Sequence, residues 1–295
     1  MSTSASVLAP AKINLFLRVL HKRLDGYHEL DTLFQAVALY DRVTVEISGT
    51  GVELEVSGFD PGPDHENLAL LAAQRLIALA GINIGVKIYL KKQIPVGSGL
   101  GGGSSNAAAV LRALSVLHEG LAGEDRLRAI GTELGADVAF FLGESPLSRG
   151  LGRGDDLQPM PALPVANLVV VSPSLHSSTA AAYQALERPL REDARRWASE
   201  TLEVPSNWSE VEACARNDFQ DSITKQYPHV ARCLDMLTAT GASLVMLSGS
   251  GSSSFGFFPS GVRAKAVADD LDSQFSWRCL ATSTLDILPV PEVSA

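Results

Sequence analysis

From Val7 to Leu20 the chain is apolar except at Lys12, Asn14 and Arg18. Such a run reads as a strand whose polar side chains point into a site. Arg42 to Ser48 alternates, with Val43, Val45 and Ile47 on one face. After Gly49-Thr50-Gly51 the alternation resumes through Val52-Glu53-Leu54-Glu55-Val56, which predicts a hairpin with a three-residue loop. Phe59 to Asp64 has loop composition. Asn67 to Ala80 reads as a buried helix ended by Gly81, and Ile84 to Leu90 as a strand. A glycine-rich segment follows, and then Ala107, Val110, Leu111, Leu114 and Leu117 recur at helical spacing.

Glu124 to Leu134 predicts another helix, closed by Gly135, and Gly150 to Asp155 a second glycine-rich turn. Pro159-Met160-Pro161 and Pro164 mark a boundary that divides the chain into residues 1–158 and 159–295. Beyond it, Asn167 to Val171 reads as a strand, Thr179 to Leu186 as a helix and Arg188 to Ser206 as a polar connection. Strands and helices then alternate to Leu288 without an internal repeat, so the fold class is α+β.

A length of 295 residues fits two domains, and 46% apolar with 19% charged residues fits a globular chain. The formal charge is −9 with no dense Lys/Arg run, which argues against a general nucleic-acid surface. Cys214, Cys233 and Cys279 match no zinc spacing and no disulfide framework. They are expected to be reduced and buried. No apolar run reaches the ~18 residues that span a bilayer, and Met1 to Leu8 lacks the features of a signal peptide. The expectation is a cytoplasmic protein with no membrane partner.

The candidate chemistry lies in Pro95 to Asn106, where five of the seven residues from Gly97 to Gly103 are glycine. Glycine allows positive φ and close approach to a ligand. The serines after the glycines are expected to cap the following helix. Backbone N–H groups converging on a helix N-terminus bind phosphate. A side chain at Gly101 or Gly102 is expected to crowd those phosphates. Gly97 to Gly102 also satisfies G-x-G-x-x-G, with Glu119 at roughly the ribose spacing, but the loop lies a third of the way along the chain. No Gly-Lys-Ser/Thr follows, so the P-loop pattern fails. On these residues alone a dinucleotide site and a flexible connector stay open.

Ala9 to Leu15, Pro95 to Ser105 and Leu247 to Gly256 resemble, in this order, the three motifs of the GHMP kinase superfamily. Asp25 to Leu30 with Thr32-Leu33-Phe34, Gly135 to Val138 and Asn217-Asp218-Phe219 are similar to one branch, whose substrate is a cytidine-diphospho sugar alcohol. The resemblance implies an N-terminal ribosomal-S5-like domain, a C-terminal ferredoxin-like domain and an active site in the cleft between them. It implies ATP, bound with Mg²⁺, as phosphoryl donor to a small-molecule alcohol, in a monomer or weak homodimer. Lys12 and Asp137 would be catalytic. Pro95, Val96, Gly97, Ser98, Gly99, Leu100, Gly101, Gly102, Gly103, Ser104 and Ser105 would hold ATP. Ser104 or Ser105 could also support Mg²⁺, and no residue is expected to bind a metal apart from the nucleotide. Asn14, Tyr27, His28 and Tyr183 would bind substrate: Asn14 by a hydrogen bond, Tyr27 by stacking on the pyrimidine, His28 by reading the base edge and Tyr183 by covering the other base face.

Three positions depart from the branch pattern. Ala139 stands where proline is common, which should loosen the turn after Asp137. Arg149 stands where an apolar residue is expected, which puts the packing there in doubt. Ser252-Ser253 replaces a Pro-Thr-like pair. The competing readings are another small-alcohol kinase (homoserine, mevalonate or sugar), a nucleotide-binding regulator without catalysis, and a dinucleotide oxidoreductase.

Overall fold

The computed structural model describes residues 4–118, 121–175, 177–186 and 205–294. Glu119 and most of the Arg188–Ser206 connection lie outside the described residues. The apolar N-terminal run forms β1 (Ser4–Lys22), paired antiparallel along most of its length with β2 (His28–Ile47). Then come β3 (Val52–Gly58), α1 (Leu68–Ala80), β4 (Val86–Lys92), α2 (Gly102–Leu117), α3 (Glu124–Leu134) and α4 (Ala136–Leu142). Next are β5 (Leu147–Gly152), β6 (Asp156–Pro159), β7 (Asn167–Ser172), α5 (Thr179–Ala185), α6 (Trp208–Cys214) and β8 (Arg216–Asn217). The chain continues through α7 (Gln220–Gln226), α8 (Pro228–Ala239), β9 (Val245–Leu247), β10 (Ser254–Phe258), α9 (Gly261–Gln274), β11 (Arg278–Ser283) and β12 (Glu292–Ser294).

The first sheet has the order β12-β1-β2-β4-β3, with β5 on β2, β6 on β5 and β8 on β1. The hairpin expected between β2 and β3 is not formed. β4 lies between them, antiparallel to β2 and parallel to β3, with Val45 and Leu54 both opposite Ile88. The reason is apolar content: Val86, Ile88 and Leu90 of β4 are buried, whereas Val56 of β3 is exposed and the β3 glutamates reach solvent. The more apolar strand takes the interior and the charged one the edge. Ala72, Ala73 and Leu76 of α1 and Ala107 to Leu114 of α2 pack on this sheet and form the first core. Asn67 caps α1 by accepting from Ala69 N–H at 3.0 Å, and Gly81 ends it in the left-handed conformation.

The second sheet has the order β11-β7-β10-β9. β7 is buried on both faces, and its alternation divides the work. Val169 and Val171 pack with Cys233 and Leu237 of α8 and Val267 and Leu271 of α9. Leu168 and Val170 turn the other way and share a core with Ala11, Ile13 and Leu15 of β1. The two sheets are therefore joined through β1, the strand that carries Lys12. The proline-rich stretch joins β6 of the first sheet to β7 of the second, and β8 and β12 return to pair with β1. Cys233 and Cys279 are buried, with thiols pushed up to about 12 by desolvation, while Cys214 is only half-buried, on α6. Among the described residues no helix is long and apolar enough to cross a membrane.

Candidate active site

The glycine segment runs from the end of β4 into α2 and alternates through left-handed backbone at Gly97, Gly99 and Gly101, with φ of 62°, 79° and 70°. Gly101 is the helix cap, without a side-chain hydrogen bond, so the serines do not cap as expected. Ser105 N–H makes the first helical bond, to Gly101 O at 2.9 Å. The amides of Gly102, Gly103 and Ser104 thus precede the helical ladder, at the positive end of a 16-residue helix. Those residues and Pro95 to Gly99 line a cleft of about 550 Å³. Leu100 instead is buried, its carbonyl accepting from Lys12 N–H at 2.9 Å. Ser105 turns away from the cleft; its hydroxyl is buried against β1 and has no hydrogen-bond partner among the described residues. A Cβ added at Gly101 would lie 3.0 Å from Lys12 Cγ, and one at Gly102 would lie 2.7 Å from Lys92 Nζ. These two glycines make room for the protein's own lysines rather than only for a ligand.

Across the cleft, a register shift between Asn14 and Phe16 re-aims the β1 side chains. Lys12 Nζ donates to Asn14 Oδ1 at 2.8 Å and lies 3.4 Å from Asp137 Oδ2 and 5.4 Å from the centroid of the Phe34 ring. These partners offset the cost of burying an ammonium group. Asn14 Nδ2 donates to Thr32 Oγ1, which donates to Phe16 O, each at 2.8 Å, so the amide cannot swing. The Lys12 side chain is 5% exposed and that of Asp137 30%, so the carboxylate is the member of the pair a ligand reaches. Asp137 sits in the first turn of α4 after Gly135, and Ala139 lies inside this helix. There is no turn there for alanine to loosen, and alanine suits a helix interior.

The cleft continues into an annex lined by Tyr27, His28, Arg153 and Tyr183. His28 and Tyr183 are stacked face to face, 4.8 Å between centroids, and Phe219 meets the Tyr183 ring edge-on at 4.9 Å. One face of Tyr183 is therefore already covered by His28. Tyr27 is 57% exposed, with the Arg153 guanidinium 5.1 Å from its ring centroid. Burial, reinforced by the charge of Asp137, holds the Tyr183 phenol above the ordinary tyrosine range.

The sequence points to Arg149, Asn217 and Ser252-Ser253 without giving them a structural role, and does not point to Lys92 or Asp41. Lys92 lies beneath the glycine segment, paired with Asp41. Asp41 also accepts from Gln93 N–H at 2.6 Å, Ile94 N–H at 2.8 Å and Asn106 Nδ2 at 2.8 Å, which pins the entry to the loop. Arg149 is buried and makes two 2.8 Å hydrogen bonds to Asp31, so its packing is resolved by a two-pronged ion pair. Asn217 donates to Leu247 O and Gly249 O, both at 2.8 Å, and so holds the β9–β10 loop. That loop, with Ser248 Oγ donating to Gly99 O at 2.9 Å and Ser253 N–H donating to Ser98 O at 2.9 Å, seals one flank of the glycine segment. Ser252 and Ser253 are fully buried and hydrogen-bonded to Leu175 O and Ser172 Oγ.

A glycine cradle at a helix N-terminus, facing a buried lysine and an accessible carboxylate, defines a class of phosphoryl-transfer proteins. The family models "GHMP kinases N terminal domain" and "GHMP kinases C terminal" match residues 67–153 and 191–276. The chain is 39% identical over 286 residues to the 4-diphosphocytidyl-2-C-methyl-D-erythritol kinase of Syntrophotalea carbinolica, covering 95% of this chain and 99% of that one. It is 42% identical to the enzyme of the same name from Solibacter usitatus, over 88% of this chain and 83% of that one. A crystal structure of 4-(cytidine 5'-diphospho)-2C-methyl-D-erythritol kinase superposes with a TM-score of 0.76 at 36% identity, covering 95% of this chain and 98% of the other. Homoserine kinase from Cytophaga hutchinsonii, at 18% identity and a TM-score of 0.69, shares the fold. The chain belongs to the GHMP kinases, within the family of 4-diphosphocytidyl-2-C-methyl-D-erythritol kinases. As a kinase of this family it uses ATP.

Proposed function

We propose that this protein moves the γ-phosphoryl group of ATP to the 2-hydroxyl of 4-diphosphocytidyl-2-C-methyl-D-erythritol, a step of the non-mevalonate isoprenoid precursor pathway. The observation that carries this reading is the Lys12–Asp137 pair, 3.4 Å apart, facing the α2 N-terminus across one cleft that opens into the aromatic annex. Phosphoryl transfer needs positioning and charge neutralisation more than covalent chemistry. In this reading Pro95 to Ser104 cradle the triphosphate, with the amides of Gly102, Gly103 and Ser104 as donors. Asp137 accepts the hydroxyl proton as the oxygen bonds to phosphorus and the bond to the departing ADP breaks. Lys12 holds the carboxylate in place and offsets charge gathering on the transferring group. Asn14 fixes Lys12 and meets the substrate. Tyr27, His28 and Tyr183 form the surface for the cytosine.

Ser104 and Asp137 present oxygen atoms to the cleft, the donor type Mg²⁺ prefers. Mg²⁺ bound with the triphosphate would neutralise phosphate charge there. Residues 1–158 supply the nucleotide cradle and residues 159–295 the loop that closes it. The same reading takes the protein to be a monomer or weak homodimer in the cytoplasm.

The test is ADP release with Mg²⁺-ATP, with and without the cytidine substrate. Release that depends on this substrate supports the reading. Release with homoserine or mevalonate instead keeps the kinase and overturns the substrate. Asp137→Asn should lower kcat by about 100-fold or more while ATP still binds; unchanged turnover would remove Asp137 from the reaction.

A further inference from the structure

Arg153 lies on the turn between β5 and β6, flanked by Gly152 and Gly154, both with positive φ. It lines both the main cleft, where Lys12 and Asp137 sit, and the annex, where Tyr27, His28 and Tyr183 sit. The other lining cations belong to one space only: Lys12 and Lys92 to the cleft, Lys22 to the annex. Its guanidinium is oriented from two sides. Asp155 Oδ2 accepts from Nε at 3.0 Å and from Nη2 at 2.5 Å, and the Tyr27 ring lies 5.1 Å away. The Nη1 amine takes no part in the Asp155 hydrogen bonds. The side chain is 36% exposed, so it reaches solvent-borne ligands while staying held.

On the functional reading above, on which this inference rests, the substrate has its base in the annex and its reacting hydroxyl at Asp137. Its diphosphate must then cross the junction between the two spaces. That group carries at least two negative charges, and a guanidinium is suited to phosphate oxygens by shape and charge. We infer that Arg153 is a specificity residue that reads the diphosphate of the cytidine substrate, with Asp155 and Tyr27 as its supports. Asp155 does not cancel this role. It fixes the fork in one direction, so less rotamer entropy is lost when phosphate binds.

The experiment measures the affinity of cytidine 5'-diphosphate and of cytidine, in the presence of a saturating non-hydrolysable ATP analogue that keeps both probes out of the nucleotide cradle. The proteins are the wild type, Arg153→Ala and Arg153→Lys. Removing a charge-assisted hydrogen bond at a partly exposed site predicts about a tenfold weaker grip on cytidine diphosphate in Arg153→Ala. Cytidine affinity and the KM for ATP should stay within about twofold, and Arg153→Lys, which keeps charge but not the fork, should fall between. Unchanged cytidine diphosphate affinity in Arg153→Ala overturns the inference. An equal loss for both probes also overturns it, because Arg153 would then act only by backing the Tyr27 ring. The wild type is assayed in parallel for phosphorylation of 4-diphosphocytidyl-2-C-methyl-D-erythritol. Turnover there with no diphosphate effect removes Arg153 alone, whereas no turnover removes the functional reading and this inference with it.

Discussion

Asp41 has no solvent exposure and is met by Lys92 Nζ, Asn106 Nδ2 and the N–H groups of Gln93 and Ile94. Burial lowers the Lys92 pKa from the ordinary lysine value, and Asp41 pulls it back up. Asp41→Asn leaves the ammonium buried without its anion, which costs about 3 kcal/mol. The sign with pH follows from linkage. The variant's Lys92 has a folded pKa further below its unfolded value, so the penalty is full below the folded pKa. It is relieved as pH rises through that pKa and the lysine sheds its proton. Denaturant unfolding at about pH 6 and about pH 9.5 should show a deficit that shrinks at the higher pH. An equal deficit at both would mean Lys92 is not the source. This pair was not legible in the sequence, whereas Lys12 and Asn14 were. A lysine inside an apolar strand stands out. Asp41 and Lys92 sit at strand positions beside Arg42 and Lys91, where charge reads as an ordinary solvated face.

At the scale of elements, α1 could be read directly, because apolar period, Asn67 and Gly81 agree on its boundaries; β1 and α2 could be read as elements, but they begin at Ser4 and Gly102, ahead of the apolar patterns that mark them. Strand order could not, since alternation tells which face is buried but not which neighbour pairs; β4 wins the place beside β2 by its apolar content. The glycine segment divides in the same way. Gly99→Ala would drive a Cβ to 2.0 Å from Ser248 O, and at Gly101 and Gly102 the neighbours are lysines. Gly103 is different: an added Cβ would meet only Leu68 Cδ1, at 3.9 Å, yet the residue lines the cleft. Replacing a helical glycine by alanine stabilises, here by about 0.5 kcal/mol near the helix start. Gly103→Ala should therefore raise Tm slightly while raising the KM for ATP by about fivefold or more, because the space above Gly103 is where phosphate would lie. Thermal unfolding and initial rates measure the two effects separately. A variant with higher Tm and unchanged KM would move the triphosphate away from this turn.

At the scale of the whole molecule, β1 belongs to both halves. It carries Lys12 in the first sheet, packs Ile13 and Leu15 against the second, and pairs with β8, whose Asn217 holds the β9–β10 loop. That loop reaches the catalytic candidate itself: Ser248 Oγ donates to Lys12 O at 3.5 Å, and a Cβ added at Gly249 would stand 3.3 Å from Lys12 Nζ. The geometry makes Asn217 a positioning residue acting through the loop. Asn217→Ala removes two donated hydrogen bonds and one accepted from Phe219 N–H, and leaves buried carbonyls unpaired. The cost is about 1–3 kcal/mol of stability. If the loop only seals a core, that would be the whole effect. If it orders Lys12, kcat should fall about tenfold or more with little change in the KM for either substrate, because on the proposed function Lys12 serves the transferring group rather than ground-state binding. Val267→Ala, in the helix-packed core of the second sheet, provides a comparison of similar stability cost far from the cleft. Both variants are assayed at a temperature where circular dichroism shows each to be folded. A kcat loss in Asn217→Ala alone assigns the loop to Lys12. Equal kcat in the two variants would reduce Asn217 to a structural tie between the halves.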